Sequence, residues 1–306
     1  MQSHFILPKR VLVFIFFLSI NIVLIAQIVE ENQYDEYSGL EAGLNVGAFF
    51  GDRNTANFYN GAGNEDGMNS ADRIIYNVHY MTMINEVLEQ NGYRYLLGVD
   101  ENGDPEYHAE YPMDMKFLPS IYAGLTGRYW LSRKFGISVS MNFSRLTTSD
   151  KFVIYNDVEM PPSNKEDQYI LGSIAGQDDR ININLGLINS FFLNQRLNFI
   201  LEYGFNLSNT TVKFNKIEIY GLVLDIKYQG PYDYVPGGMG QQYEFRQGGI
   251  GYGAYVTPGL QLTFKHDISM DLVCDVYYSY ISLEHYSQWG VHFAPFVRFN
   301  FTRLFY

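Results

Sequence analysis

A short segment near the carboxyl end carries residue types that could act as a nucleophile and its base. The sequence LEHYSQ places His285 and Ser287 two residues apart, with Glu284 beside them. If the segment is extended, both side chains lie on one face, because successive side chains of a strand point to opposite sides. A serine becomes nucleophilic when a neighbouring base takes its proton and a third group orients that base. The chemistry would be hydrolysis, and it requires a triad geometry that the sequence leaves open.

A second candidate is the acidic segment DENGDPE at 100–106, which clusters oxygen ligands as a calcium-binding loop does. An EF-hand loop has glycine at its sixth position and glutamate at its twelfth. Those positions hold Pro105 and Tyr111 here. The sequence therefore favours a turn over a calcium site, and we expect no cofactor.

The charge balance and the cysteine content exclude two further classes. The chain has 21 lysines and arginines against 33 acidic residues, a formal net charge of −12. This argues against nucleic acid as a partner, because phosphate binding requires a basic surface. Cys274 is the single cysteine, so no internal disulfide can form. The chain is therefore not a disulfide-stabilised secreted scaffold.

The amino-terminal residues have the organisation of an export signal. Lys9 and Arg10 precede an apolar run over 11–26, which ends in alanine and is followed by polar residues. This order predicts a cleaved secretory signal peptide at 1–26. An uncleaved anchor is the alternative, since the run approaches the ~20 residues that a spanning helix needs. The predicted mature chain has a periplasmic segment at 27–38 and a barrel at 39–306.

Apolar and polar residues alternate in eight segments, which predicts eight strands. The sequence LNFILEYGFNLSN at 197–209 shows the pattern, with a large apolar residue at every second position. The predicted strands span about 39–50, 117–131, 135–147, 180–193, 197–211, 251–265, 268–282 and 291–305.

The connections between these strands alternate in length. The second, fourth and sixth strands are followed by the short sequences SRK, NQR and HD. The first, third and fifth are followed by long connections, of which loop one covers about 51–116. Short turns at one end and long loops at the other are typical of outer-membrane barrels, whose short turns are periplasmic.

The distribution of charge indicates which strand face points inward. Most strand charges lie on the face with small polar residues, so we expect the apolar face to contact lipid. Eight strands leave an interior that side chains fill, and buried charges are costly unless paired. We therefore predict a structural interior network in which the arginines pair with acids, with Arg180 near the rim. Its members are Glu41, Arg128, Glu202, Asp271, Asp275 and Arg298.

Loop one is too long for a structureless connection. Ile74, Val78, Met81 and Leu88 recur at helical spacing, which predicts a surface helix over about 71–90. The sequence thus predicts an all-β, eight-stranded antiparallel transmembrane up-and-down barrel with long extracellular loops and a helix in loop one.

The mature chain resembles the eight-stranded outer-membrane barrels of the OmpA-transmembrane and OmpX type. The resemblance lies in the signal peptide, the strand count, the loop alternation and the terminal aromatics of VRFNFTRLFY. The stretch AGLNVGAFFGDRNTANFYNG at 42–61 looks like barrel proteins of the Bacteroidota. This resemblance implies location in the bacterial outer membrane, contact with its lipid and lipopolysaccharide, and assembly as a client of the barrel-assembly machinery.

Three functions remain open at this level. The first is a non-enzymatic barrel whose outer loops bind a partner or surface ligand, as accessory subunits of protein export or assembly complexes do in the Bacteroidota. The second is a lipid-modifying hydrolase using His285 and Ser287, since outer-membrane lipid A deacylases use a His-x-Ser pair. The third is a small-solute channel.

Overall fold

The computed structural model describes residues 39–63, 69–94, 96–158, 168–194, 196–226, 248–265, 268–283 and 286–302. The predicted signal peptide at 1–26 and the predicted periplasmic segment at 27–38 lie outside these ranges. So do the last four residues of the chain.

The described chain forms a ten-stranded antiparallel sheet rather than the eight strands predicted. Apart from β2 and β7, the strands pair in the order β1, β3, β4, β5, β6, β8, β9, β10, and β10 pairs with β1 to close a ring. The short strands β2 and β7 add to β4 and β6 outside this ring. The all-β, antiparallel prediction is confirmed, and the strand count is corrected. The strands are β1 (Gly39–Phe49), β2 (Tyr107–Glu110), β3 (Ser120–Trp130), β4 (Phe135–Asn156), β5 (Tyr169–Phe192), β6 (Leu197–Ile219), β7 (Leu222–Asp225), β8 (Gly248–Lys265), β9 (Ile268–Leu283) and β10 (Tyr286–Thr302).

Three neighbouring strands are much longer than predicted. Strands β4, β5 and β6 contain 22, 24 and 23 residues. A tilted strand needs only about 9–11 residues to cross a membrane. About half of β4 and β5 and about a third of β6 project beyond the other strands of the ring, at the end away from the short turns. Much of what was predicted as a long loop after residue 147 is strand.

We call the end of the ring that carries the short turns its lower end. Over the lower half, the outer surface of the ring is apolar and its interior is polar. Successive residues along each strand alternate accordingly, with Leu185 exposed and Asn184 buried on β5. We call the exposed apolar surface the belt, and its members include Leu44, Val46, Leu125, Val139, Met141, Phe143, Ile181, Ile183, Leu185, Phe205, Leu207, Leu272 and Phe299. This is the distribution of a β-barrel that faces lipid.

The projecting parts of β4, β5 and β6 reverse this polarity. Their inward residues are apolar and buried, as at Ile154, Ile170 and Ile217. Lys151 and Glu218 are exposed on the outer face. With β2 and β7, these parts form a sheet in the order β2, β4, β5, β6, β7. One apolar face and one polar face is the pattern of a sheet in water.

Loop one packs on the apolar face of this sheet. It contains helices α1 (Arg53–Ala56), α2 (Asp72–Ile75) and α3 (Val78–Gln90), with a 3₁₀ turn at Asn57–Tyr59. The predicted helix over 71–90 is thus two helices, because Asn77 is extended and its side chain accepts the His79 N–H to cap α3. We call loop one and the projecting sheet the cap. No helix among the described residues is long and apolar enough to span a membrane.

The contact between loop one and the sheet depends on a glycine. The Tyr59 side chain is fully buried in the core of the cap. A Cβ at Gly176 on β5 would lie 2.0 Å from Cδ1 of Tyr59. Only glycine therefore lets the ring of Tyr59 lie against the strand at this point.

We expect Gly176→Ala to destabilise the cap by about 1–3 kcal/mol, because overpacking forces side chains and backbone to shift. Gly127→Ala on β3 is the matched control, since a Cβ there meets no atom within 4 Å. Limited proteolysis of loop one in detergent micelles should be faster for the first variant than for the second. Equal cleavage rates would show that this contact does not hold the loop.

Candidate functional site

The lower interior of the ring contains a buried charge cluster centred on Arg128. Its Nη1 donates to Glu41 Oε1 at 2.7 Å. Its Nη2 donates to Glu202 Oε1 at 2.5 Å and to Asp271 Oδ2 at 2.7 Å. Glu41 is the direct cross-strand neighbour of Arg128, whereas Glu202 and Asp271 reach it from β6 and β9. Side chains from four strands therefore meet around one guanidinium group.

Arg298 is the second cation of this cluster. Its Nη1 pairs with Glu202 and lies 3.6 Å from Asp271 Oδ2. Its Nε donates to Asn45 Oδ1 at 2.9 Å. Two arginines thus neutralise most of the charge of three carboxylates. We call Glu41, Arg128, Glu202, Asp271 and Arg298 the inner charge cluster.

Asp275 does not join the inner charge cluster, although the sequence placed all six residues in one network. Its carboxylate accepts hydrogen bonds from hydroxyl groups instead. Tyr122 donates to Oδ2 at 2.5 Å, Tyr277 to Oδ2 at 2.7 Å and Thr257 to Oδ1 at 2.5 Å. These tyrosines and Thr257 form a separate layer above the cluster, and all are buried.

Arg180 lies inside the ring at its upper end, beneath the cap and next to Ile181 at the upper edge of the belt. It is 1% exposed, and its Nε donates to Asp178 Oδ1 at 2.9 Å. Its guanidinium group lies 5.0 Å from the ring centroid of Phe117. The Tyr59 hydroxyl donates to Asp178 Oδ2 at 3.0 Å, and burial raises the pKa of Tyr59 well above its ordinary value. This protonated hydroxyl links loop one to β5 through its hydrogen bond with Asp178.

Of the predicted nucleophile and base, the described part of the chain includes Ser287 alone. Glu284 and His285 lie outside the described residues. Ser287 is exposed near the start of β10, opposite Ser282 of β9. The hydrolase hypothesis therefore gains no geometric support from the described part of the chain.

The acidic segment at 100–106 forms a turn. The Asp100 carboxylate accepts the backbone N–H groups of Asn102 and Asp104, both at 2.8 Å. The Asp104 hydrogen bond is the main cause that lowers the pKa of Asp100. Its oxygens are thus used within the turn. Over the described ranges, no group of three His, Cys, Asp or Glu side chains could hold a metal ion.

An aromatic surface lies on the outer face of the cap, where the sequence had predicted a loop. Tyr155 is the cross-strand neighbour of both His108 and Tyr169. The His108 and Tyr155 rings stack at 5.2 Å, and His108 Nδ1 lies 2.8 Å from the Asp157 carboxylate. Tyr169 and Leu171 are nearly half exposed, at 46% and 49%. We call His108, Val153, Tyr155, Tyr169 and Leu171 the tip patch.

The closed ring, the apolar belt and the charged interior define an antiparallel β-barrel with an apolar outer surface. No protein-family model matches the chain, and no curated protein matches it. Several solved structures are similar. Neisserial surface protein A is 8% identical, with a TM-score of 0.41 over 86% of this chain and 97% of that one. The attachment invasion locus protein Ail of Yersinia pestis is 10% identical, with a TM-score of 0.31 over 86% of this chain and 99% of that one. The outer membrane protein OprG of Pseudomonas aeruginosa is 8% identical, with a TM-score of 0.35 over 87% of this chain and 96% of that one. Similarity at this level assigns no function.

We expect Arg128→Met to destabilise the barrel by about 3–5 kcal/mol, because it leaves buried carboxylates without their main counterion. Arg133→Met removes an exposed arginine from the turn after β3 and serves as the control. Urea unfolding in detergent micelles measures both changes. A loss for Arg128→Met no larger than that of the control would mean that the cluster does not stabilise the fold.

Proposed function

We propose that the chain is an outer-membrane β-barrel that acts as a non-enzymatic binding protein at the cell surface, with the cap as its binding part. The observation that carries the proposal is the reversal of polarity along β4, β5 and β6. Their lower parts suit lipid, and their upper parts suit water. The strands thus hold a folded cap outside the membrane.

The location in the outer membrane is supported by the closure of the ring. Lipid offers no hydrogen bonds, so a sheet with an apolar exterior must leave no unpaired edge. β1 begins and β10 ends beside the short turns, since Glu41 pairs with Thr302 there. Short turns are periplasmic in such barrels, which directs the cap outward. The likeness to barrels of the Bacteroidota stays a prediction.

The packing of the interior disfavours the solute-channel alternative. Arg128 and Arg298 meet at the level of Glu202, and the hydroxyl layer around Asp275 lies above them. Loop one then covers the upper opening through the contact of Tyr59 with Asp178. Three successive layers of buried side chains thus oppose the passage of solutes.

The tip patch is the surface that we assign to the partner. Large exposed apolar patches on soluble surfaces mark interaction sites, and tyrosine offers a rigid ring with a polar end. The tip patch lies on regular strands, so its rings are held in place without the partner. It also lies on the outer face of the cap, away from the belt. An accessory role in a protein export or assembly complex would use the same surface.

A photo-crosslinking residue at Tyr169 tests this assignment on intact cells. We expect a discrete adduct that disappears when Tyr155→Ser and Leu171→Ser are added, because these changes remove the flanking apolar contacts. The control carries the same crosslinker at the exposed Glu89 of α3. No adduct at position 169, or the same adduct from position 89, would reject the tip patch as the binding surface.

Planar bilayer recording tests the closed interior. We expect purified protein to insert without stepwise conductance, because buried ion pairs and loop one fill the lumen. Insertion is verified by the heat-dependent mobility of the recovered protein. Regular conductance steps from inserted protein would favour the channel alternative.

A further inference from the structure

Charged residues follow directly after the belt on the outer face of β4, β5 and β6. Phe143 and Ile181 are exposed neighbours at its upper edge. The next outward-facing residues along these two strands are Arg145 and Asp179, which are also cross-strand neighbours. The change from apolar to charged therefore occurs on one face within two residues. The headgroups of a lipid layer would lie at this level.

Arg145, Asp179 and Lys213 form one ion-paired group, which we call the border cluster. Arg145 Nε lies 2.7 Å from Asp179 Oδ1, and its Nη2 lies 3.0 Å from Oδ2. Lys213 Nζ lies 3.1 Å from Asp179 Oδ2. The hydrogen bond from Arg145 lowers the pKa of Asp179, so the carboxylate remains ionised. Two cations thus contact one carboxylate.

The two cations of the border cluster are more exposed than the carboxylate that they share. The bidentate contact fixes the plane of the Arg145 guanidinium group, yet it does not use Nη1. Side-chain exposure is 55% for Arg145 and 43% for Lys213, against 13% for Asp179. The carboxylate thus lies beneath two more accessible cations. An anion that approaches from the lipid side meets the cations first.

A second group beside the belt has the same composition. Asp114 Oδ2 lies 3.6 Å from Arg53 Nη2 and 3.8 Å from Lys116 Nζ. Leu118, two residues beyond Lys116, is exposed. Two cations that contact one carboxylate therefore recur next to exposed apolar residues, although the whole chain has a formal net charge of −12. Charge complementarity at this level points to an anionic lipid layer.

We propose that the border cluster binds the phosphate of a lipid headgroup in the outer leaflet, a site that rests on the proposed outer-membrane location. Arginine and lysine form strong charge-assisted hydrogen bonds with phosphate oxygens. Basic residues beside a membrane attract anionic lipids at about 1 kcal/mol each. Asp179 positions the two cations on a shared carboxylate, and the belt below them contacts the acyl chains of the same lipid.

Native mass spectrometry tests this site on the full-length protein. The protein is extracted from phosphatidylcholine vesicles that contain bis-phosphorylated lipid A, or the same lipid without its phosphates. We expect retention of the phosphorylated form, and a decrease of about thirtyfold for Arg145→Gln with Lys213→Gln, since two cation–phosphate contacts are lost. The control is Lys151→Gln with Lys216→Gln, which removes the same charge from the projecting part of the same sheet. It should retain lipid as the unmodified protein does.

A second variant distinguishes the loss of the cations from a general disturbance of the border cluster. Asp179→Asn keeps both cations and removes only the carboxylate that positions them, so retention of phosphorylated lipid should fall less than in the variant that loses both cations. Equal retention of lipid A with and without its phosphates would overturn the proposal. So would equal retention by the two charge-removing variants, or displacement of the lipid by inorganic phosphate. The mobility shift of the heated protein verifies insertion separately. If the protein inserts but retains both lipid forms equally, the lipid site is rejected. If the protein fails to insert, the proposed membrane location is rejected.

Discussion

The structure depends on closure of the main-chain hydrogen-bond ladder. A sheet with an apolar exterior has no solvent to satisfy an open edge, so every strand of the ring needs two partners. The pairing of β4 with β5, from Tyr155 opposite Tyr169 to Phe135 opposite Asn189, is the longest of these contacts. Closure in turn creates a narrow interior. That interior must be filled by small polar side chains and by charges that pair with one another.

The same three strands have opposite polarity in their two parts. Below Arg145 and Asp179, β4, β5 and β6 present apolar side chains outward, and above them they present apolar side chains inward. The strand geometry is unchanged, since side chains alternate in both parts. What changes is the composition of each face. The barrel therefore supplies the base of a sheet with its own hydrophobic core, in which loop one takes the place of a second layer.

The sequence located the ring strands and the composition of their faces well, because alternation is a local signal. It underestimated β4, β5 and β6, whose projecting parts were interpreted as loops. Phe152 and Ile154 continue the alternation there, but with the apolar set turned inward, against the pattern expected of a lipid-facing strand. The tip patch was missed for the same reason. His108 reaches it from loop one, and no local pattern links it to Tyr155.

The sequence by itself determined which residues enter the interior, because a strand has only two faces and one of them is apolar throughout the ring. The tertiary structure decided which charges meet there. Glu41 and Arg128 are 87 residues apart, and Arg298 and Asn45 are 253 residues apart. It also separated Asp275 from the arginines and placed Arg180 beneath the cap. Such contacts depend on strand register and on loop one, which are set by interactions between distant parts of the chain rather than by local alternation.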